Sequence, residues 1–217
     1  MLWITVLYIA PVPAVKTHTE ELRAALIDEA GRVLRTEGPG AVTLRRLARA
    51  TGTSTAAVYT LFGDKAGLID QMYIEGFRRL THTVAASPAT ADPVQDLLAM
   101  GGAYRRAALR SRHLYELMFG RPVPGFKPSP GAIAVARRAF QPLLVAVSRC
   151  VEAGAFRSDT DPEDVAYHMW ALAHGLVALE IHRALPLKRA EFERRYASAI
   201  SASIASYLAP ARSAHPA

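Results

Sequence analysis

Residues 42–65 read VTLRRLARATGTSTAAVYTLFGDK and bring polar side chains to spacings that suit a shared task. Thr43 is a good cap for a short helix whose inward face is Leu44, Leu47 and Ala48, and Gly52 falls in a tight turn before a second helix that starts at Ser54. Val58 and Phe62 turn toward the core, which leaves Thr55, Ala56, Tyr59 and Thr60 on the exposed or amino-terminal side. Small side chains there let a helix sit deep in a major groove. Alanine and threonine methyls touch thymine methyls, while hydroxyls reach base edges or phosphates. The pattern is a helix-turn-helix, and its chemistry is recognition of double-stranded DNA.

A competing cluster is Asp164 with His168 at helical spacing, joined by His174 and His182, the kind of set that holds a metal in a helical bundle. A di-iron bundle needs Glu-x-x-His on each of two helices plus two further glutamates, and the chain has no Glu-x-x-His. Neither a phosphate-cradling glycine loop nor a nucleophile elbow is present. The single cysteine, Cys150, reads as a small buried hydrophobe. The expectation is no enzyme, no cofactor and no metal.

The elements that must position these residues are helices throughout, because no sustained alternation of period two argues for strands. The fold class expected is all-α, with about nine helices. Leu22, Leu26, Ala30, Val33 and Leu34 share one face of a first helix ended by Gly38-Pro39-Gly40, and a longer helix covers about 64–85. Asp92-Pro93 and Asp161-Pro162 pair a cap with a proline at the first helical position, opening helices at about 93–110 and 162–184. Residues 121–131, RPVPGFKPSPG, form a loop. A helix over about 132–153 is kinked or broken at Pro142, and a last one covers about 188–208. The composition shift at Ser87-Pro88 divides the chain. The expected parts are an irregular arm at 1–16, a DNA-binding domain at 17–86, a helical effector-binding and dimerisation domain at 87–209, and a frayed tail at 210–217.

With these residues in view, the stretch from Gly40 to about Tyr73 resembles the DNA-binding domain of the TetR family of bacterial transcriptional regulators. Thr43, Leu47-Ala48, Gly52, Tyr59, Phe62 and Lys65 stand in the family's register. The resemblance implies that Thr43, Ser54, Tyr59 and Lys65 hold phosphates. It places Arg45, Thr55, Ala56, Ala57 and Thr60 toward bases, with Arg46 and Arg49 solvated or neutralising the DNA backbone. Arg45 is the strongest candidate for sequence reading, since a guanidinium can bind guanine O6 and N7 together. The recognition helix departs from expectation in having no Arg, Asn, Gln or Lys from Ser54 to Thr60, so readout leans on methyl contacts and DNA shape. Trp170, His174 and Gly175 resemble the signature of a WHG-type carboxy-terminal domain in the same family.

In that second half, residues 165–181, VAYHMWALAHGLVALEI, are apolar on nearly every face and so must be buried between neighbouring helices and something else. A stripe of Phe192, Tyr196, Ala199, Ile200, Ser203 and Tyr207 on the last helix suits the same role. Two helices per subunit would make a homodimer, with Gly175, Leu179, Tyr196 and Ile200 as candidate contacts. Met100, Tyr104, Tyr115, Met118, Phe119, Phe126, Phe140 and Trp170 could line an apolar effector cavity, with His174 or Tyr104 as a polar contact, or could be ordinary core. The sparse charge there favours an apolar or neutral effector.

Composition limits the rest. With 51% apolar and 21% charged residues the chain is neither collagen-like nor disordered, and one cysteine gives no reason for an oxidising compartment. A cytoplasmic location is expected. The net charge of +7 invites an anionic partner, yet residues 16–80 hold only ten Lys or Arg against eight acids, while residues 81–217 hold sixteen against eleven. Any case for DNA therefore rests on the motif, and a non-specific DNA-binding protein without effector is the rival reading. Met1 to Val15 is apolar but lacks the basic region of a secretory signal and is shorter than the about 20 residues that span a bilayer.

Overall fold

The computed structural model describes residues 20–120 and 122–210. The expected arm at 1–16 and all of the tail beyond Pro210 lie outside the described residues. Within them the chain is all-helical: α1 (Glu20–Glu37), a 3-10 turn (Pro39–Ala41), α2 (Leu44–Ala50), α3 (Thr55–Phe62), α4 (Lys65–Ala85), α5 (Pro93–Arg110), α6 (Arg112–Gly120), α7 (Pro130–Arg138), α8 (Gln141–Glu152), α9 (Pro162–Ile181) and α10 (Arg189–Ala205). Two compact units divide between Leu68 and Ile69, inside α4. The composition shift at Ser87-Pro88 thus marks the end of a helix, while Phe77, Leu80 and Val84 of α4 already belong to the core of the second unit.

The first unit is built by helix periodicity. Leu26, Ile27, Ala30, Val33 and Leu34 recur at three- and four-residue spacing along α1 and are buried with Val42, Leu47, Val58 and Phe62. The Thr43 hydroxyl accepts from the Arg46 amide at 3.3 Å and the Ser54 hydroxyl from the Ala57 amide at 3.1 Å, so each caps its helix. Gly52 takes φ +67 between them, a left-handed turn residue that glycine adopts without steric cost.

In the second unit Asp92 and Asp161 cap α5 and α9 as expected, each followed by proline. Ser129 opens α7 in the same way, and its amide and hydroxyl both donate to the Asp70 carboxylate on α4, at 2.8 and 2.7 Å. Pro142 breaks the expected 132–153 helix outright. Its missing N–H is harmless only in a first turn, so α7 ends at Arg138 and α8 restarts at Gln141. Ser111 separates α5 from α6 in a place where the sequence carries neither glycine nor proline. An isolated antiparallel bridge between Phe156 and Leu208 ties the α8–α9 connection to the segment that follows α10.

Candidate nucleic-acid interface and effector cavity

The helix-turn-helix residues fall into three groups. Thr43, Arg45, Ser54, Ala56, Tyr59 and Thr60 are exposed, and Tyr59 is 54% exposed despite being aromatic. Arg45 pairs with no acid among the described residues. A second group is half-buried and already engaged: Arg46 donates two bonds to Glu37, at 2.7 and 2.6 Å, and Lys65 donates its ammonium to the Pro39 carbonyl. The Arg46 hydrogen bonds hold the Glu37 carboxyl below the usual carboxylate range. Thr55 is also half-buried. Ala57 forms the third group and corrects the sequence reading: it is buried, as Val58 is, and does not face outward with Ala56. One residue along a helix turns the side chain by about 100°, enough to move it from groove to core.

The second unit holds a cavity of about 470 Å³, partly open to solvent and walled by α4 to α10. Six expected residues line it: Met100, Tyr104, Met118, Phe119, Phe140 and Trp170. His174, Tyr115 and Phe126 do not. The His174 ring packs on Phe119 with centroids 4.5 Å apart, and its Nδ1 lies 2.6 Å from the Tyr115 hydroxyl and 3.4 Å from that of Tyr104. The two tyrosine oxygens are 3.0 Å apart. Burial pushes the Tyr104 hydroxyl up to about 12, drives Tyr115 in the same direction, and lowers His174. The network is therefore neutral. With the His174 proton on Nε2, Nδ1 accepts from Tyr115, which in turn accepts from Tyr104. His168, another member of the rival metal cluster, shares a hydrogen bond with the Tyr207 hydroxyl at 2.7 Å.

Several wall residues escaped the sequence reading. Tyr73, Phe77, Leu80 and Val84 project from α4 at helical spacing, a signal legible in the sequence but assigned there to the DNA-binding half. Ile133 and Arg137 come from α7, which the sequence reading merges with α8. Two dimer candidates prove to be interior. Tyr196 is 5% exposed and donates its hydroxyl to the Gly101 carbonyl at 2.8 Å, and Ile200 lines the cavity. Their stripe on α10 faces its own subunit, so neither is free to meet a partner. Gly175 and Leu179 are exposed on α9.

Residues 26–72 match the family described as bacterial regulatory proteins, tetR family, and residues 97–203 match the tetracyclin repressor-like, C-terminal domain. The chain belongs to the TetR family of bacterial transcriptional regulators. The second match contains Trp170, His174 and Gly175, and the first contains every expected DNA-contacting residue. HTH-type transcriptional regulators of Mycobacterium tuberculosis and Mycobacterium bovis are 27% identical to this TetR-family chain over 146 residues. That alignment covers 65% of the chain and spans 62% of those relatives' own length. A solved structure of a protein with unknown function from Rhodococcus sp. RHA1 superposes with a TM-score of 0.74 at 25% identity, over 91% of this chain and all of that one. The TetR family regulator PfmR of Thermus thermophilus superposes with a TM-score of 0.63 at 22% identity, over 81% and 96%, and shows the shared fold.

Proposed function

We propose that the protein is a homodimeric transcriptional repressor that binds a palindromic operator and is released by a small, apolar or neutral effector held in the 470 Å³ cavity. The observation that carries the DNA reading is the helix-turn-helix itself: α2 and α3, each capped by a hydroxyl and joined through Gly52 at φ +67, leave Ala56, Tyr59 and Thr60 exposed at helical spacing on α3. Arg45 supports it as an exposed guanidinium that pairs with no acid among the described residues. Two reading heads in successive major grooves would sit about 34 to 36 Å apart.

The cavity supports the effector reading by its size and its aromatic, sulfur-bearing walls, which suit a largely apolar guest. Release requires a conformation that binds effector better and DNA worse, and α4, covalently continuous through both units, is the element that would carry the change. Self-association is supported by the outward faces of α9 and α10, where Gly175, Leu179, Ala197, Ser201 and Ala202 are exposed and uncharged.

Fluorescence anisotropy on the DNA upstream of the coding region and on scrambled DNA, across a salt series, tests the reading. A regulator prefers its operator by ~1000-fold or more. Equal affinity with a steep salt slope would mark a non-specific binder. Tyr59→Ala is expected to weaken binding to every sequence, whereas Arg45→Ala removes roughly 1–3 kcal/mol of discrimination at one position. A uniform loss with Arg45→Ala would refute its assignment.

A further inference from the structure

The positive charge of the chain lies mostly outside the DNA-binding motif, and the second unit shows where part of it gathers. A groove of about 830 Å³ runs between the end of α5, the start of α6, the α9–α10 connection and the start of α10. Six arginines line it. Two are committed: Arg105 to Glu180, and Arg112 to Glu116 and the Ile181 carbonyl. The other four, Arg106, Arg110, Arg183 and Arg189, are exposed and pair with no acid among the described residues. Glu180, the one carboxylate in the groove wall, is spent on Arg105. Like charges gathered without counter-charge are repelled from one another, and an anion between them removes that repulsion.

Arg183 adds an independent sign. It sits at φ +50, where α9 ends with Ala184 donating back to the Leu179 carbonyl and Arg183 to that of Glu180. That helix ending is the position glycine fills most readily, and a residue with a Cβ is strained there. An arginine kept in a left-handed turn at the lip of an arginine-lined groove points to use of its side chain. The floor is apolar. Leu109, Ile181, Leu185, Pro186, Leu187 and Phe192 complete the lining, and Leu185 is 45% exposed.

We infer that this groove is a second ligand site, separate from the apolar cavity, that binds an organic phosphate: a phosphorylated head held by Arg106, Arg110, Arg183 and Arg189, and an apolar or aromatic body laid on the Leu185–Phe192 floor. Guanidinium forks match phosphate oxygens two at a time, and a phosphate monoester carries close to two negative charges at neutral pH. Inorganic phosphate alone would leave the apolar floor wet, and an uncharged aromatic would leave the arginines unpaired.

Isothermal titration of the full chain with inorganic phosphate, 1-naphthol and 1-naphthyl phosphate tests this. The phosphate ester is expected to bind at least ~10-fold tighter than inorganic phosphate, and its affinity to fall ~10-fold or more in Arg110→Glu and in Arg183→Glu. Arg110→Gln and Arg183→Gln should show a smaller loss in the same order, guarding against misfolding. Lys127→Glu, the same charge change at an exposed loop position, should leave the affinity within about 2-fold of the parent. Binding of 1-naphthol in the apolar cavity would be indifferent to all of these variants. Equal losses in Lys127→Glu and the groove variants, an ester no tighter than inorganic phosphate, or groove variants that lose a DNA duplex while keeping the ester would each overturn the assignment.

Discussion

Replacing Glu180 by alanine is the sharpest probe of how the second unit is held together. Its carboxylate receives two bonds from the Arg105 guanidinium, at 2.8 and 2.7 Å, and the side chains are 8% exposed for Arg105 and 10% for Glu180. Removing one member of a buried ion pair leaves the other charged, desolvated and unpaired, which costs about 3–5 kcal/mol. Glu193 lies 3.7 Å from the same guanidinium but is largely in solvent, so it returns no more than about 0.5 kcal/mol. The expected loss is therefore ~3 kcal/mol in urea unfolding followed by circular dichroism. The double variant Arg105→Met, Glu180→Leu removes both charges and keeps the volume, and should lie within about 1 kcal/mol of the parent. A Glu180→Ala cost below ~1 kcal/mol, or a double variant worse than the single one, would refute the claim that the pair is desolvated.

Three other properties can be checked directly. Burial lowers the His174 pKa below its ordinary 6.5, so the unfolded chain binds more protons there. Stability should be full above pH 6.5 and fall as the pH drops toward the folded-state value, a dependence that His174→Gln should flatten in pH-resolved thermal melts. Cys150 is buried on α8 with its thiol pushed up to about 11, so Ellman's reagent should leave it unmodified in the native protein and titrate it fully in urea. Ala202→Arg places a charge on the outward face of α10 and should convert dimers to monomers in sedimentation equilibrium, with the helical spectrum kept; an unchanged dimer would move the interface elsewhere.

The DNA-binding unit was legible because its signals are local. Caps, a turn glycine and a four-residue apolar spacing each act over short stretches of chain, and the structure places Thr43, Gly52, Ser54 and Val58 as those rules require. The commitments of Lys65 to the Pro39 carbonyl and of Arg46 to Glu37 were not legible, since they join segments 26 and 9 residues apart. Ala57 was misplaced for a different reason. In a short helix of small residues the apolar moment is weak, and Ala56 and Ala57 offer no contrast by which to tell groove side from core side.

The second unit shows the limit of reading a stripe. Tyr196, Ile200 and Ser203 on α10 form a helical row that burial had to cover, but a row does not say which surface covers it. The answer lies on the other side of the same helix. From Tyr196 to Ser206 the chain carries no charge on any face, so after the large residues turn inward, Ala197, Ser201, Ala202 and Ala205 remain outward and small. A solvated helix face is ordinarily marked by charged residues, and this one is marked by side chains that let another backbone approach closely. Gly175 and Leu179 continue the same character on α9. Ile200 and Ile204 of α10 thus line the cavity, and in the dimer proposed above the small residues on its outward side would meet a second copy of the chain. One helix would then border both the effector and the partner subunit, which is what coupling between the two requires.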